Sequence, residues 1–572
     1  MKNTQQLLRP STMYKNVDYA IERDNMRKKY GCDTMCTAKF FTSTIYLQSG
    51  QTHSCYHPLP HQIPLNELKD NPSALHNTKH KIERRRQMLM GEKPEECNYC
   101  WRVEALENEL VISDRIIKSK NELLLTPDAH EKILENGWDH NYRPTYLEIS
   151  FGNECNMRCA YCHPKASSAW MKEMDLHGPF ENAEHLQVLH EKIYPEDDNP
   201  YVDAFWEWWP YLRKTLKVLR ITGGEPLLQQ NFWKFLEKLK KTDECKNMVV
   251  QVNTNFNVKP KLTKRFVETM NQILNENRIM KFSIYTSVES WGERATYTRN
   301  GLDLDNFEQN LHIIMKGLAH HGAKVFTGVT IMNTFNIMCV TSYIDFLKKV
   351  LEWRKELHNG QDWPKVLFDI PHCTEPNHWT LAGLPDRYDE YFGITTAFMD
   401  AHRWKNNWQN YPKDFHDHAY FNYFTDEEFA AWNRVVAVWE DIKKQRASLN
   451  PDHHLQPRQV DDARRNWILF IDATDKRRKT RFKAIFPEMA DYYDLCSTMR
   501  NIEDIEYNGE IKKELLSEGL VEFHWDDDFV WHYPALAQTL INHRKANNLP
   551  TIMFDKDKEV ARFGDNWQIK GE

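Results

Sequence analysis

The chain lacks several features that would place it in a special class of protein. It has no apolar run long enough to span a membrane, and its N-terminus lacks the charged-then-apolar order of an export signal. No internal repeat and no low-complexity tract is visible. These absences predict a globular, cytoplasmic protein without a membrane partner.

An excess of basic residues is missing as well. The 572 residues carry a formal net charge of −7, so the chain has no electrostatic footprint for nucleic acid and no such partner is expected. Hydrophobic residues make up 41% and charged residues 27%, as in ordinary globular proteins. We interpret two basic clusters, Arg84-Arg85-Arg86 and Lys476-Arg477-Arg478-Lys479, as solvated faces.

Cysteine, in contrast, is present at 12 positions. Without an export signal these residues indicate metal ligands or free thiols rather than disulfides. Cys155, Cys159 and Cys162 have the spacing C-x3-C-x2-C and follow a strand-like apolar run, 146–151. Three thiolates hold three irons of a [4Fe–4S] cluster and leave the fourth iron open to an outside molecule. The alternative is three unrelated buried cysteines.

This loop, with Tyr161 directly before the third cysteine, resembles the signature of the radical S-adenosylmethionine (SAM) superfamily. Downstream, Gly223-Gly224-Glu225-Pro226 resembles the GGEP motif that these enzymes carry on their second barrel strand. The resemblance implies that the cysteines bind the cluster and that the open iron chelates the amino and carboxylate groups of SAM. It also implies that the GGEP turn holds the amino group, for which Glu225 supplies an anion and the glycines a close backbone approach.

Further positions resemble the SAM-binding residues of the family. The resemblance implies that Asn253 and Asn255, at the end of the third strand, contact SAM. It also implies that Ser287 and Glu289 contact the ribose of SAM. Arg299 would contact the SAM carboxylate and Ile331 the adenine. A bidentate guanidinium suits a carboxylate. Turn formation by the asparagines, a surface ion pair of the arginine and core packing of the isoleucine are the alternatives.

Strand patterns alternate with helical patterns between about residues 145 and 375. The predicted strands are Tyr146–Phe151, Val218–Thr222, Met248–Asn253, Phe282–Val288, Lys324–Met332 and Val366–Ile370. Six strands with intervening helices predict parallel βαβ units, hence an α/β fold. Six is also the strand count of the partial (β/α)6 TIM-like barrel that the resemblance implies, with the active site at the strand C-termini.

We divide the chain into four parts. Residues 1–140 are expected to form a small cysteine-rich domain and residues 141–375 the barrel. Residues 376–500 are expected to form a mainly helical extension that packs on the barrel, with one helix at Asp426–Arg446, and residues 501–572 a tail domain of unknown role.

The N-terminal part has a second cysteine pattern. Cys36, Gly50 and Cys55 have the spacing C-x13-G-x4-C, and Cys97 and Cys100 the spacing C-x2-C. The first pattern is similar to the opening half of the SPASM motif and the second to its C-x2-C element, while the later cysteines of that motif are absent. Such a half motif implies a "twitch" domain with an auxiliary [4Fe–4S] cluster. The segment 40–47 predicts a strand, followed by a turn at 49–51 and a return strand to Cys55, a hairpin that brings two thiolates together.

Two features depart from the family pattern. Twitch domains usually follow the barrel, whereas this segment precedes it, and Cys32 lies close enough to Cys36 to compete as a ligand. Two cysteine pairs also suit a tetrahedral zinc ion, and buried thiols are a further alternative. A cluster with all four irons ligated is expected to relay electrons or brace the substrate pocket rather than to bind substrate.

His372 and Cys373 end the sixth predicted strand and therefore face the same mouth. Cys373 is a candidate hydrogen-atom donor to a substrate radical, and His372 a candidate proton carrier. A buried, inert thiol is the alternative, which we also expect for Cys245, Cys339 and Cys496.

The resemblance implies a radical SAM enzyme. In that family the reduced cluster cleaves SAM to methionine and a 5′-deoxyadenosyl radical, which abstracts hydrogen from the substrate. We expect the substrate to be a peptide or protein; a sugar or other small molecule is the alternative, and a non-catalytic iron–sulfur or zinc protein a remote one. A low-potential electron donor of the flavodoxin or ferredoxin type is implied.

Overall fold

The structure is a computed structural model. It describes residues 19–105, 113–120, 125–180, 186, 192–357, 366–403, 423–447 and 457–498, together with the strand residues 520–522, 552–555, 560–563 and 566–569.

The strands, in chain order, are β1 (Thr42–Tyr46), β2 (Gln51–His53), β3 (His61–Gln62), β4 (Tyr146–Ser150), β5 (Arg158–Cys159), β6 (Val218–Thr222), β7 (Val249–Asn253), β8 (Lys281–Thr286), β9 (Arg299–Asn300), β10 (Phe326–Met332), β11 (Val366–Asp369), β12 (Leu520–Glu522), β13 (Ile552–Asp555), β14 (Val560–Phe563) and β15 (Asn566–Ile569).

The helices of the first half are α1 (Tyr19–Tyr30), α2 (Ala38–Phe41), α3 (Leu65–Leu68), α4 (Lys79–Leu89), α5 (Asn98–Ala105), α6 (Asp114–Lys120), α7 (Ala129–Asn136), α8 (Ser168–His177), α9 (Pro200–Leu212), α10 (Gln230–Leu239) and α11 (Pro260–Asn275). Those of the second half are α12 (Glu293–Thr298), α13 (Leu304–Leu318), α14 (Gly322–Val325), α15 (Tyr343–Glu356), α16 (Asp389–Ala401), α17 (Asp426–Ala447), α18 (Pro457–Arg478), α19 (Phe482–Ile485) and α20 (Ala490–Ser497).

The main sheet has nine strands in the order β11-β10-β8-β7-β6-β4-β1-β2-β3. The run from β11 to β1 is parallel throughout, and β2 and β3 are added antiparallel. Each of the six strands predicted from the sequence is found to within two residues at either end. The α/β class with a parallel-rich sheet is therefore confirmed, whereas closure into a partial barrel stays a prediction.

The N-terminal hairpin belongs to this same sheet. Strands β1 and β2 form the predicted hairpin, and Gly50 in its turn has φ +65°, with the Tyr201 ring where a Cβ would stand. Strand β1 also pairs in parallel with β4, although about a hundred residues separate them. The cysteine-rich segment therefore extends the main sheet instead of forming a sheet of its own.

The two faces of the sheet differ in chemistry. One face is apolar and packs on the helices: Leu147 and Ile149 of β4 and Val250 and Val252 of β7 have no exposed surface. Strand register aligns five polar side chains in one row across the other face: Thr44, Glu148, Arg220, Gln251 and Ser283. We call these five residues the polar row.

Helices α16–α20 form most of the described C-terminal extension, and α18–α20 contact the loop after β8. The Tyr297 hydroxyl donates to Asp475 Oδ1 at 3.0 Å, and Arg294 donates two hydrogen bonds to Glu488. Strands β12–β15 form a separate antiparallel sheet, which the sequence analysis did not predict. The rest of residues 501–572 lies outside the described part of the chain, so the tail prediction is not tested.

The interpretation of the basic clusters as solvated faces is wrong for two members, Arg85 and Arg478. Arg85 is completely buried and donates to Lys39 O, Asn77 Oδ1 and His76 Nε2. Arg477 lies 3.7 Å above the Phe180 ring, and the Arg478 side chain is only 8% exposed. Charge runs alone do not reveal which members turn inward. In the described residues no helix is both long and apolar enough to cross a bilayer.

Candidate iron–sulfur and SAM site

Five loops meet at one end of the parallel sheet because parallel strands all end on the same side. The cysteine loop follows β4 and the GGEP turn follows β6. Asn255 follows β7, Glu289 follows β8, and Cys373 follows β11. The fold thus brings the predicted residues of this end together, from segments more than two hundred residues apart.

The GGEP turn is interlocked with the start of the cysteine loop. The Glu225 N–H donates to Glu154 O at 2.7 Å. A Cβ at Gly224 would lie 2.3 Å from the same oxygen, and one at Gly223, where φ is +117°, would lie 2.5 Å from Ser150 Oγ. Only glycine allows this approach. The turn therefore sets the position of the backbone that leads directly into Cys155.

The three thiols of the loop are close enough to interact and only partly exposed. Burial raises the pKa of all three, to about 12 for Cys155, and Cys159 adds to the rise for both neighbours. Ser168 at the start of α8 bonds the Cys155 backbone, and Asn255 Nδ2 lies 3.9 Å from Cys155 Sγ. Because iron binds thiolates, loading of this site must release protons.

Glu225 is completely buried and already has three hydrogen-bond donors. Its carboxylate accepts from Leu227 N at 3.1 Å, the Thr254 hydroxyl at 2.8 Å and Asn255 N at 2.6 Å. Burial still raises its pKa to about 7. The side chain therefore ties the ends of β6 and β7 together, and its contact with the SAM amino group stays a prediction.

Arg299 and Glu289 form a buried ion pair, with 6% and 3% of their side chains exposed. Arg299 Nε donates to Glu289 Oε2 at 2.8 Å, and the Tyr161 hydroxyl donates to Oε1 at 2.7 Å. The guanidinium also reaches Cys159 Sγ at 3.5 Å. Strand pairing of β5 with β9 sets Arg299 directly opposite Cys159. The alternative of a surface ion pair for Arg299 is therefore wrong.

The other predicted residues of this end have less specific surroundings. Asn253 Oδ1 accepts from Arg220 Nε at 3.0 Å, Ser287 is half-buried, and Ile331 is completely buried in the core. Cys373 is buried and its thiol donates to Glu375 O at 3.2 Å, whereas His372 is exposed. Burial raises the pKa of Cys373 to about 12, and the partial enclosure of the His372 ring, together with Arg434, lowers the pKa of that histidine although part of its surface is exposed. Cys245, Cys339 and Cys496 are buried, as predicted.

A cavity of about 370 Å³, including the space at its mouth, is lined by Cys36, Cys55, Cys97 and Cys100. It lies at the opposite end of the sheet, because Cys36 precedes β1 and Cys55 follows the antiparallel β2. The fourfold grouping predicted from the sequence is therefore observed. Cys32 is not part of the lining, and its thiol donates to Met88 O at 3.3 Å.

Three cations also line this cavity: Lys39, Arg115 and Lys118. Burial acts to lower the pKa of Lys39, but Cys97 and Glu96 raise it on balance. The same balance holds for Lys118, where Cys55 and Asp114 raise the pKa against the effect of burial. Each of these cations also pairs with a carboxylate, so together they offset only part of the negative charge that four thiolates would bring.

The spacing of the sulfur atoms tests which metal group the residues fit. In a tetrahedral zinc site, with Zn–S bonds of about 2.3 Å, the sulfur atoms lie about 3.8 Å apart. Among the described residues, no three cysteine sulfur atoms lie within 4.8 Å of one another. The ligands of a [4Fe–4S] cube attach to different irons and stand further apart. Neither cysteine group in the described residues therefore has the close sulfur spacing of a preformed tetrahedral zinc site, and a cube does not require that spacing.

The sequence analysis did not single out the polar row or Tyr56. The Tyr56 hydroxyl donates to Glu148 Oε2 at 2.8 Å and lies 3.0 Å from the Tyr146 hydroxyl. A signal was present: β4, β6 and β7 alternate polar and apolar residues, whereas strands buried on both faces read as nearly continuous apolar runs.

Comparison with known proteins gives partial similarity. No protein-family model matches the chain. Molybdenum cofactor biosynthesis protein 1 of Dictyostelium discoideum is 24% identical over 204 residues, which is 35% of this chain and 29% of that protein. GTP 3′,8-cyclase of Listeria monocytogenes is 26% identical over 111 residues, 19% of this chain and 27% of that enzyme. The similarity therefore spans less than a third of either relative.

These relatives support an enzyme of the radical SAM class. Among solved structures, the crystal structure of Streptococcus suis SuiB bound to precursor peptide SuiA is 13% identical, with a TM-score of 0.29. The alignment covers 64% of this chain and 70% of that one. A TM-score this low supports no conclusion about fold or substrate.

Proposed function

We propose that this protein is a radical SAM enzyme with a second, auxiliary iron–sulfur cluster. One observation carries the proposal: the three-cysteine loop and the GGEP turn are interlocked by a backbone hydrogen bond and by glycines that leave no room for a side chain. Partial similarity to GTP 3′,8-cyclases supports the same class.

In this proposal Cys155, Cys159 and Cys162 hold the SAM-binding cluster. When bound, the cluster and SAM supply a one-electron cleavage of the sulfonium C–S bond, and the 5′-deoxyadenosyl radical takes a hydrogen atom from the substrate. Two buried oxygens beside the loop, Glu154 Oε2 and Gln229 Oε1, accept no hydrogen bond from the described residues. Such acceptors fit a ligand that brings donors, as the SAM ammonium does.

The protein's own groups organise this end of the sheet. Arg299 stabilises negative charge next to Cys159, and Glu289 in turn holds the guanidinium and the Tyr161 hydroxyl in place. Glu225 and Asn255 link the ends of β6 and β7 beside Cys155. Burial of these groups excludes water, which strengthens each electrostatic contact.

Cys36, Cys55, Cys97 and Cys100 would hold the auxiliary cluster. Support comes from their common cavity and the cations beside it, and the described sulfur atoms do not form the close group of a tetrahedral zinc site. Four protein ligands leave no iron open, so this cluster would exchange electrons rather than bind the substrate. A flavodoxin- or ferredoxin-type protein would supply the low-potential electron. The substrate would be an organic molecule, either a peptide or a small compound.

The test is anaerobic reconstitution with iron and sulfide, followed by reduction with dithionite in the presence of SAM. We expect wild-type protein to bind about eight irons per chain, the content of two four-iron cubes, and to form 5′-deoxyadenosine detectable by mass spectrometry. The variant with Cys155, Cys159 and Cys162 all changed to Ala should form none and retain about four irons.

A matched control is Cys245→Ala, which removes a buried thiol outside both sites. It should keep both the iron content and the product. Zinc instead of iron in the Cys155→Ala/Cys159→Ala/Cys162→Ala variant would refute the auxiliary cluster. Absence of 5′-deoxyadenosine from fully loaded wild-type protein, with and without the amino acids tested below, would refute the catalytic proposal.

A further inference from the structure

The polar row lies between the two cysteine sites. Its members stand at the middle of their strands, whereas the three-cysteine loop follows one end of the sheet and the four-cysteine cavity lies at the other. Interior positions of α/β barrels are normally filled by Val, Ile and Leu. A row of polar side chains costs stability there unless it is used, so it indicates a functional surface.

Arg220 has hydrogen-bonding capacity left over. Its Nε donates to Asn253 Oδ1 at 3.0 Å and lies 3.9 Å from Glu148 Oε2, and the guanidinium stacks 4.6 Å from the Tyr285 ring centre. Within the described structure, Nη1 and Nη2 make no hydrogen bond, and neither is among the fully buried unpaired atoms. The two terminal nitrogens, which form the natural fork for a carboxylate, are therefore available.

Among the described residues, only one of the two carboxylate oxygens of Glu148 accepts hydrogen bonds. Its Oε2 accepts from the hydroxyls of Tyr56 at 2.8 Å and Tyr146 at 3.4 Å. No group in the described ranges donates to Oε1, and this atom too is absent from the fully buried unpaired set. One carboxylate oxygen is thus positioned by tyrosines, while the other is left for a cationic donor.

Both side chains keep part of their surface accessible to solvent. Arg220 keeps 19% and Glu148 12% of its side-chain surface accessible, on a sheet face that is otherwise enclosed. Tyr56 remains 55% exposed although its hydroxyl reaches Glu148. A ligand can therefore reach the pair beside the Tyr56 ring, which immediately follows Cys55 of the four-cysteine cavity.

We infer that Glu148 and Arg220 bind the zwitterionic head group of a free amino acid or a close derivative, the ammonium at Glu148 and the carboxylate at Arg220. This inference rests on the proposed function and names its substrate class. A row with one negative and one positive side chain matches a ligand with no net charge. It disfavours a polyphosphate, because Glu148 would repel a second anion next to Arg220.

The test measures binding of each of the twenty proteinogenic L-amino acids to anaerobically reconstituted protein with SAM, by calorimetry. We expect at least one to bind. Its N-acetyl form and its methyl ester should each bind about tenfold more weakly or worse, because each loses one charge-assisted hydrogen bond. Inorganic tripolyphosphate and a capped Lys-Glu dipeptide serve as competing probes.

Two variants separate recognition from a structural role. Glu148→Gln should lose the preference for the free amine over the N-acetyl form, and keep the preference for the free carboxylate. Arg220→Gln should show the reverse. Arg278→Gln is the control, since this surface arginine pairs with Asp243 and Glu276 away from the row. Either row variant is decisive if the other fails to fold.

Three outcomes would overturn the inference: no amino acid binds at millimolar concentration, tripolyphosphate or the capped dipeptide binds more tightly, or the variants leave both preferences unchanged. The proposed function fails separately. If 5′-deoxyadenosine is never formed but the binding preferences follow this pattern, the binding site stands without the radical chemistry. If SAM is cleaved but no amino acid binds, only this inference falls.

Discussion

The two cysteine sites are built in different ways. At the three-cysteine loop the backbone does most of the positioning, through the GGEP turn and the pairing of β5 with β9, and the buried Arg299–Glu289 side-chain pair adds to it. At the four-cysteine cavity, side-chain charge is prominent, with Lys39 and Lys118 beside the thiols. Positioning by the backbone suits the three-cysteine loop, where one iron would stay open for a ligand. Nearby charge suits the four-cysteine cavity, where a fully ligated cluster would depend on that charge for its electron affinity.

The largest effect is expected from the buried ion pair. Arg299→Met leaves the Glu289 carboxylate buried without its cation, which costs about 3–5 kcal/mol of unfolding free energy. The matched control is Arg294→Met in the same loop, whose bidentate pair with Glu488 is more exposed, at 28% and 18%; it should cost less, about 1–2 kcal/mol.

Urea denaturation of the metal-free proteins measures both variants. Equal costs for Arg299→Met and Arg294→Met would contradict the view that the buried pair organises the three-cysteine end.

A smaller effect is expected from the glycine that interlocks turn and loop. Gly224→Ala places a methyl group 2.3 Å from Glu154 O, so it should cost about 1–3 kcal/mol and halve the iron bound on reconstitution. Gly393→Ala is the control, because a Cβ there meets nothing within 4 Å in the middle of α16. It should be neutral or stabilise the protein by about 0.5–1 kcal/mol.

Iron analysis and urea denaturation compare the two glycine variants. Full iron content in Gly224→Ala would show that the turn does not position the loop.

The smallest effect concerns the four-cysteine cavity. Lys118→Gln removes a positive charge next to the site, so the auxiliary cluster should become harder to reduce, by on the order of 70 mV for a charge at roughly 10 Å and an effective dielectric constant of about 20. Redox titration monitored by electron paramagnetic resonance measures the shift, in protein lacking the three-cysteine cluster. Lys132→Gln, an exposed lysine on α7, should leave the potential unchanged. An unchanged or higher potential in Lys118→Gln would contradict the role of charge at this site.

The elements with strong local signals were predicted well. All six predicted strands lie where their apolar runs place them, and α17 spans Asp426–Ala447 against the predicted Asp426–Arg446. The hairpin before Cys55 followed from its turn residues and alternation. The four N-terminal cysteines that the resemblance grouped line one cavity, and their role as ligands stays a prediction.

Other features left no local trace. The pairing of β1 with β4 joins segments about a hundred residues apart, and the sequence of neither strand indicates which strand it pairs with. In the sequence, Arg85 belongs to a basic run that is typical of a surface. In the structure it is buried, because carbonyl, amide and imidazole acceptors satisfy its hydrogen bonds. Arg299 was identified by its position, but its ion pair with Glu289 depends on how the segment after β8 folds back on itself and on the pairing of β9 with β5.

The sequence by itself determined the chemistry that is available: seven cysteines in two spaced groups, a glycine-rich turn and six strands of an α/β fold. Tertiary structure decided where that chemistry stands. Parallel pairing put the two cysteine groups at opposite ends of one sheet, and strand register aligned Glu148 with Arg220 between them. The reason is physical: composition and spacing act locally, whereas register is set by hydrogen bonds between strands that are distant in sequence.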